Sequence, residues 1–157
     1  MFSKHDLEQL NTALFCDCVK RLWGPAVSRS CIMNDMRSVS VPRKAIGPAH
    51  TMRISVDHNP DGKNRERFLG TYDEAPSGAV IVIQVVGDVG GAVIGDVAAH
   101  RLVRREVAGV VIDGPARDIE GLVQQNLPVW AKEVTMLGMT PDDVVTEVSI
   151  EIACGET

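Results

Sequence analysis

The chain has 157 residues, of which 45% are hydrophobic and 24% are charged, and its formal net charge is −5. These values are typical of a globular protein with a real core, so we predict a single domain spanning residues 1–157. The acidic balance argues against direct nucleic-acid binding, which needs a basic face, and the apolar runs are too short for a secretion signal or a membrane span. The four cysteines form no CxxC pair, so we expect reduced thiols in a cytoplasmic protein without membrane contact.

The N-terminal part of the sequence carries a helical signal that is followed by a strand signal. Leucines recur at helical spacing and predict one amphipathic helix over residues 4–22, which Gly24 and Pro25 end. Residues 46–56 (IGPAHTMRISV) indicate a strand after a Gly-Pro turn. Residues 57–69 are polar and rich in turn formers, which is typical of an exposed connector; the alternative is a loop with a short helix at its end.

The middle of the chain alternates between apolar strand-like runs and helical patterns. Residues 79–86 (AVIVIQVV) are continuously apolar and rich in β-branched side chains, which is typical of a strand buried on both faces. Residues 97–108 place apolar side chains on one side and predict a helix with Asp96 as its N-cap. The other predicted elements are a strand at 110–112 closed by an Asp113-Gly114 turn, a helix near 119–125, a strand at Val129–Val134 and a half-buried strand at 148–154.

This order predicts a βαβ unit with parallel strands at about residues 79–114. The helix and the second strand would then carry the chain back to its starting edge, and bring Arg117-Asp118 close to Gly95-Asp96. Both pairs would lie at the carboxyl ends of the strands, where α/β sheets commonly bind ligands.

Such a meeting point has a specific chemistry. The amides of a helix N-terminus suit a carboxylate or phosphate, and Gly95 allows a close approach to the backbone. Arg117 supplies a planar cation for an anionic oxygen, while Asp96 and Asp118 supply hard oxygen atoms for Mg²⁺ or Mn²⁺. Together these groups could hold an α-keto acid. The alternative interpretation is structural, with Asp96 only an N-cap and residues 117–118 only a solvated ion pair. The glycines at 87–91 match neither a P-loop nor a dinucleotide fingerprint, so nucleotide binding is weakly supported.

The same residues resemble the RraA-like family, which includes 4-hydroxy-4-methyl-2-oxoglutarate aldolases. Metal-dependent members carry an Asp, then twenty residues, then Arg-Asp, as in Asp96 … Arg117-Asp118 here. The surrounding segments GGAVIGD and VAGVVIDGPARD also match, and CIMNDMRSV and KAIGPAHTMRI look like earlier family segments. The resemblance implies an α/β fold in one domain, with a mixed or barrel-like β core and flanking helices.

The resemblance also implies roles for individual residues. Asp118 would bind the divalent metal cation, Mg²⁺ or Mn²⁺, and Arg117 would contact the substrate and stabilise its enolate. Asp96 could hold a metal-bound water that transfers a proton. The substrate loop, with backbone amides on the carboxylate, would comprise Gly95, Asp96, Val97 and Ala98.

The implied reaction is that of a metal-dependent (class II) lyase. A carbon–carbon bond beside a 2-oxo acid breaks and leaves a pyruvate enolate, as in 4-hydroxy-4-methyl-2-oxoglutarate aldolase and oxaloacetate decarboxylase. A metal-dependent lyase needs no lysine Schiff base, and all five lysines lie outside the motif. The resemblance further implies a homotrimer or hexamer. Family members usually continue past the point matching residues 152–155, and a missing acidic residue there would affect aldolase activity more than decarboxylation.

Two alternatives to the lyase interpretation come from the same family. Some members bind and inhibit an RNA-degrading endonuclease without catalysis, and these can lack the second residue of the Arg-Asp pair. This sequence keeps Asp118, which favours the enzyme. An old family label, a menaquinone-pathway methyltransferase, needs a glycine-rich adenosylmethionine loop that the sequence does not convincingly show.

Overall fold

The structure is a computed structural model that describes residues 4–155. The chain forms two compact units: the residues up to Asp35 together with Gly155, and residues 36–154. No helix of the described chain is long and apolar enough to cross a membrane.

The N-terminal unit consists of three helices, α1 (Lys4–Gln9), α2 (Thr12–Trp23) and α3 (Pro25–Ser30). The prediction of one helix over 4–22 was wrong because Asn11 interrupts it. Asn11 adopts an extended conformation, and its side chain accepts a hydrogen bond from the amide of Leu14 at 2.7 Å, so it begins a new helix as an N-cap. The chain does leave this helix at Gly24, whose φ is 92°.

The second unit is built on one mixed sheet of six strands in the order β1-β5-β4-β3-β2-β6. The four central strands are parallel, whereas β1 and β6 pair antiparallel at the two edges. The strands are β1 (Arg37–Ser38), β2 (Ala49–Val56), β3 (Val80–Val86), β4 (Gly109–Ala116), β5 (Val129–Val134) and β6 (Val144–Val148). The helices are α4 (Asn64–Asp73), α5 (Asp96–Arg104) and α6 (Ile119–Gln124), with a 3₁₀ turn at Pro141–Asp143. The predicted α/β class is therefore confirmed, with a mixed sheet and flanking helices.

The predicted βαβ unit corresponds to β3, α5 and β4. β3 and β4 are parallel, with Val80 opposite Gly109 at the start of the ladder. Both strands contribute buried side chains to the core. Ala98, Ala99 and Leu102 of α5 are buried in the same core cluster. Burial of this apolar face stabilises the unit by about 25 cal/mol per Å².

Three details of the βαβ unit differ from the prediction. The helix predicted over residues 97–108 ends earlier, because α5 spans Asp96–Arg104. Gly95 is the N-cap of α5, and Asp96 is its first helical residue, so Asp96 is not the cap. The Asp113-Gly114 turn does not form, because β4 continues through it to Ala116 with a register shift before Pro115. A β-carbon at Gly114 would lie 2.5 Å from Cγ2 of Val85, so this glycine serves the close packing of β4 on β3.

The C-terminal strand also lies earlier than predicted. The alternation at 148–154 suggested a strand there, whereas β6 ends at Val148 and pairs antiparallel with β2. Ser149 follows with a left-handed φ of 56°, which ends the regular ladder. The chain remains beside β2 through a 2.6 Å hydrogen bond from Thr51 Oγ1 to the carbonyl of Ile150.

Candidate functional site

The site lies where the loop after β3 meets the carboxyl end of β4. The loop runs beside this end of the strand, with Ile94 bridged in parallel to Ala116. The amide of Arg117 donates to the carbonyl of Ile94 at 3.0 Å, so the two segments are joined by their backbones. This bond places Gly95 directly beside Arg117.

The two polar pairs meet as the sequence predicted. A β-carbon at Gly95 would lie 2.5 Å from Oδ2 of Asp118 and 3.1 Å from Nε of Arg117. The first distance is shorter than real Cβ contacts and the second is tight, so a side chain at residue 95 would displace the Asp118 carboxylate and crowd Arg117. The structure thus brings Gly95-Asp96 and Arg117-Asp118 together at one edge of the sheet, while their chemical roles stay predictions.

Asp118 has an unusual backbone and an available carboxylate. Its φ is 55°, in the left-handed region that Asp tolerates better than most residues, and it precedes α6 without capping it through its side chain. Oδ2 of Asp118 lies 3.3 Å from Nε of Arg117, and the two side chains are 39% and 40% exposed. The pair therefore forms a local ion pair that still faces solvent.

Asp96 is held at the start of α5 by α6. A β-carbon at Gly121 would lie 2.7 Å from Cβ of Asp96, so α6 packs closely against this residue. Gln125 Nε2 donates to the backbone carbonyl of Asp96 at 2.8 Å. Neither Gly121 nor Gln125 was singled out in the sequence, since both contacts depend on how α5 and α6 pack.

The remaining residues of the predicted substrate loop have different environments. Asp96 Oδ1 accepts a hydrogen bond from the amide of Val97 at 2.7 Å, so an anionic ligand would compete with that carboxylate for this amide. The Val97 side chain is 63% exposed, whereas Ala98 is buried in the core and contributes only backbone to the site.

An open groove with a volume of about 770 Å³ lies beside Asp96 and Val97 along the outer side of α5. His100, Arg101 and Arg104 are among its lining residues. Arg101 forms an ion pair with Asp73 from α4. The groove therefore borders the predicted substrate loop with both arginine and aspartate side chains.

The donor set fits a metal that retains water and binds substrate. No group of three or more His, Cys, Asp or Glu side chains within residues 4–155 is placed to hold a metal ion. Mg²⁺ does not need such a cage, since one or two carboxylates together with water and substrate oxygens complete its shell. Asp118 can act as that carboxylate, because its side chain is part exposed and does not cap α6.

A third segment of the site, residues 135–139, was not identified from the sequence. Gly138 bridges in parallel to Ala92 in the loop after β3. A β-carbon at Gly138 would lie 2.6 Å from Nη1 of Arg117. The only sequence signal for this contact is a glycine in TMLGMT, and a glycine alone does not indicate a functional position.

The fold and these residues define an α/β protein with a cation and a carboxylate at the carboxyl ends of parallel strands. The family model "RraA-like: Aldolase/RraA" matches residues 12–157. The chain belongs to the RraA-like family, which confirms the resemblance seen in the sequence.

Individual relatives carry different names. The chain is 29% identical over 112 residues to a protein of Halalkalibacterium halodurans provisionally named 4-hydroxy-4-methyl-2-oxoglutarate aldolase, with 71% of this chain and 50% of that protein covered. It is 30% identical over 101 residues to Protein DlpA of Legionella pneumophila, with 64% of this chain and 16% of that protein covered. The chain thus spans half of the first relative and a smaller part of the second.

Solved structures show the same fold. The RNA-processing inhibitor RraA from Thermus thermophilis has a TM-score of 0.62 at 22% identity, over 76% of this chain and 68% of that one. Streptomyces coelicolor RraAS2, described as an unusual member of the RNase ES inhibitor RraA protein family, has a TM-score of 0.73 at 20% identity. The second match covers 95% of this chain and 71% of that one.

Proposed function

We propose that the protein is a divalent-metal-dependent lyase that cleaves a carbon–carbon bond of a 2-oxo acid, as an aldolase or an oxaloacetate decarboxylase. One observation carries the proposal: Gly95 leaves room for Arg117 and Asp118 directly beside the first turn of α5. A cation and a carboxylate then lie beside helix amides, and these groups would suit the carboxylate and 2-oxo oxygen of such a substrate.

The helix amides, Arg117 and Asp96 would have different roles in the reaction, according to their charge. The substrate carboxylate would lie on the amides that begin α5, where the helix dipole favours a negative group. The guanidinium of Arg117 would face the 2-oxo oxygen and stabilise the negative charge that develops there as the bond breaks. Asp96, next to the same amides, would hold and return the proton that the product needs.

Asp118 would hold Mg²⁺ or Mn²⁺, which supplies Lewis-acid polarisation of the 2-oxo group when bound. Nε of Arg117 lies 3.3 Å from Oδ2 of Asp118. This ion pair would help to orient the carboxylate that would hold the cation. Arg117 would therefore have two roles, since it would orient Asp118 and contact the substrate.

The test is pyruvate release from oxaloacetate with added Mg²⁺ or Mn²⁺, measured above the rate of the metal alone. Arg117→Lys keeps the charge but removes the planar fork, and Asp118→Asn keeps the shape but removes the charge. We expect both variants to fall to the metal-only rate while they remain folded, and we expect the wild-type protein with chelator to fall to the metal-free rate of oxaloacetate decarboxylation. Turnover that survives in both variants would contradict this assignment of the site.

Absence of turnover from the folded, metal-loaded wild-type protein would favour the other family function, binding to an RNA-degrading endonuclease.

We also propose that the protein forms a homotrimer or a hexamer. Large apolar side chains next to the site are exposed, with Met136 at 95%, Leu137 at 68% and Val97 at 63%. Association of copies would bury such side chains, and light scattering of the purified protein measures the mass directly.

A further inference from the structure

The side chain of Arg117 passes between the backbones of two glycines. A β-carbon at Gly95 would lie 3.1 Å from Nε and 3.2 Å from Cγ of Arg117. A β-carbon at Gly138 would lie 2.6 Å from Nη1, 2.8 Å from Cζ and 3.3 Å from Nη2. Gly95 therefore borders the stem of the arginine, and Gly138 borders its guanidinium group.

The segment around Gly138 has little freedom to retreat from the arginine. The amide of Ala92 donates to the carbonyl of Leu137 at 2.9 Å, and the amide of Met139 donates to the carbonyl of Ala92 at 3.3 Å. A β-carbon at Gly91 would lie 2.7 Å from the carbonyl carbon of Gly138, so the two backbones are in close contact. Backbone contacts and hydrogen bonds with residues 91–92 therefore hold Gly138 in place.

A methyl group at Gly138 would consequently move Arg117 instead of the loop. The arginine side chain is 40% exposed and its guanidinium end can swing into solvent. Gly138 is not among the glycines with a positive φ, so alanine fits its backbone conformation. The expected result is a folded protein in which the guanidinium has left its place.

We propose that Gly138 is a positioning residue for Arg117. Because glycine has no β-carbon, the guanidinium can occupy the space next to Gly138, where it lies beside Asp118 and faces the substrate. The catalytic consequence of this placement rests on the proposed lyase function. The placement itself is independent of the lyase function, because it follows from the packing of residues 91–95 and 135–139 around the arginine.

The placement can be tested without turnover by nitrogen-15 NMR of the arginine Nε–H groups. The Arg117 signal is assigned by its loss in Arg117→Lys. We expect this signal to shift in Gly138→Ala and to stay in place in Gly70→Ala. Gly70 is the matched control, because it is a helical glycine with nothing within 4 Å of an added β-carbon. An unshifted Arg117 signal in folded Gly138→Ala would overturn the proposal.

A second comparison covers the case in which Gly138→Ala lowers the melting temperature. If the clash is with Arg117, the double variant Gly138→Ala/Arg117→Ala has space for the methyl group and should regain the melting temperature of Arg117→Ala. A double variant that melts as low as Gly138→Ala would show that the methyl group meets backbone, and would refute the proposal.

The catalytic consequence is measured as pyruvate release from oxaloacetate with Mn²⁺. A misplacement near 1 Å can cost about 100-fold in rate, so we expect kcat of Gly138→Ala to fall about 10- to 100-fold, with Gly70→Ala at the wild-type rate. A shifted Arg117 signal with no turnover in the wild type would refute the lyase function and leave the placement intact. Equal turnover in wild type and Gly138→Ala would refute the role of Gly138 and leave the lyase function intact.

Discussion

Tyr72 connects helix α4 to the loop that carries the site. Its side chain is fully buried, and its hydroxyl donates to the carbonyl of Val93 at 2.9 Å, two residues before Gly95. Tyr72→Phe keeps the ring and its edge-to-face contact with Phe68, whose centroid is 5.0 Å away, but leaves the Val93 carbonyl without this donor. An unpaired buried polar group costs about 1–3 kcal/mol, and 1 kcal/mol corresponds to about 2–4 °C in Tm for a domain of this size. We therefore expect a loss of about 1–2 kcal/mol and a Tm lower by about 2–8 °C.

The same side chain makes stability depend on alkaline pH. Burial raises the pKa of Tyr72 well above its usual value of 10.0. The unfolded chain then loses the phenol proton at a lower pH than the folded protein, so the stability from Tyr72 is complete below about pH 10 and declines above it. The decline is about 1.4 kcal/mol per pH unit, and Tyr72→Phe should lack this contribution.

The assay is urea unfolding of both proteins at neutral pH and at several values above pH 10, with a control titration of tyrosinate absorbance. Tyr72 is the single tyrosine of the chain, so that absorbance reports its ionisation alone. The reasoning is refuted if Tyr72→Phe is as stable as the wild type at neutral pH, or if folded wild-type protein ionises its tyrosine near pH 10.

Three further substitutions test the packing and the helix boundary. Gly114→Ala places a β-carbon 2.5 Å from Val85 in the centre of the sheet, and overpacking of this kind costs about 1–3 kcal/mol, measurable by urea unfolding. Gly95→Ala should leave the melting temperature nearly unchanged, because φ is −147°, yet reduce oxaloacetate turnover about 100-fold by displacing Asp118. Asn11→Ala removes the N-cap of α2 and should cost about 0.5–2 kcal/mol, seen as faster hydrogen exchange in the first turn of that helix.

The central strands were predictable because their sequences allow few alternatives. The run at 79–86 is continuously apolar and β-branched, and β3 forms at Val80–Val86. The third strand was predicted at Val129–Val134, which are the bounds of β5. The βαβ connection followed from the spacing between strand and helix signals, and with it the meeting of the two polar pairs.

The edges of the structure were less predictable, since they depend on distant partners. β6 is defined by its pairing with β2, where Met52 lies opposite Val148, and the alternation at 148–154 continues beyond the residues that find a partner. The contact between Gly138 and Arg117 has the same origin. It requires the bridge between Ala92 and residue 138, which joins two loops that are far apart in sequence.

The prediction of a turn at Asp113-Gly114 was wrong, and the continuous strand found there explains how the site is positioned. A turn there would have placed Arg117 in a loop, whereas β4 continues to Ala116 and carries the arginine at its end. Lys132 Nζ lies 2.5 Å from Oδ1 of Asp113 and stabilises that carboxylate within the strand. The carbonyl of Ala116 accepts from Thr135 at 3.0 Å, while the amide of Arg117 donates to Ile94 on the other side. Because backbone hydrogen bonds hold this strand end from both sides, the sheet itself sets the positions of the guanidinium and the carboxylate.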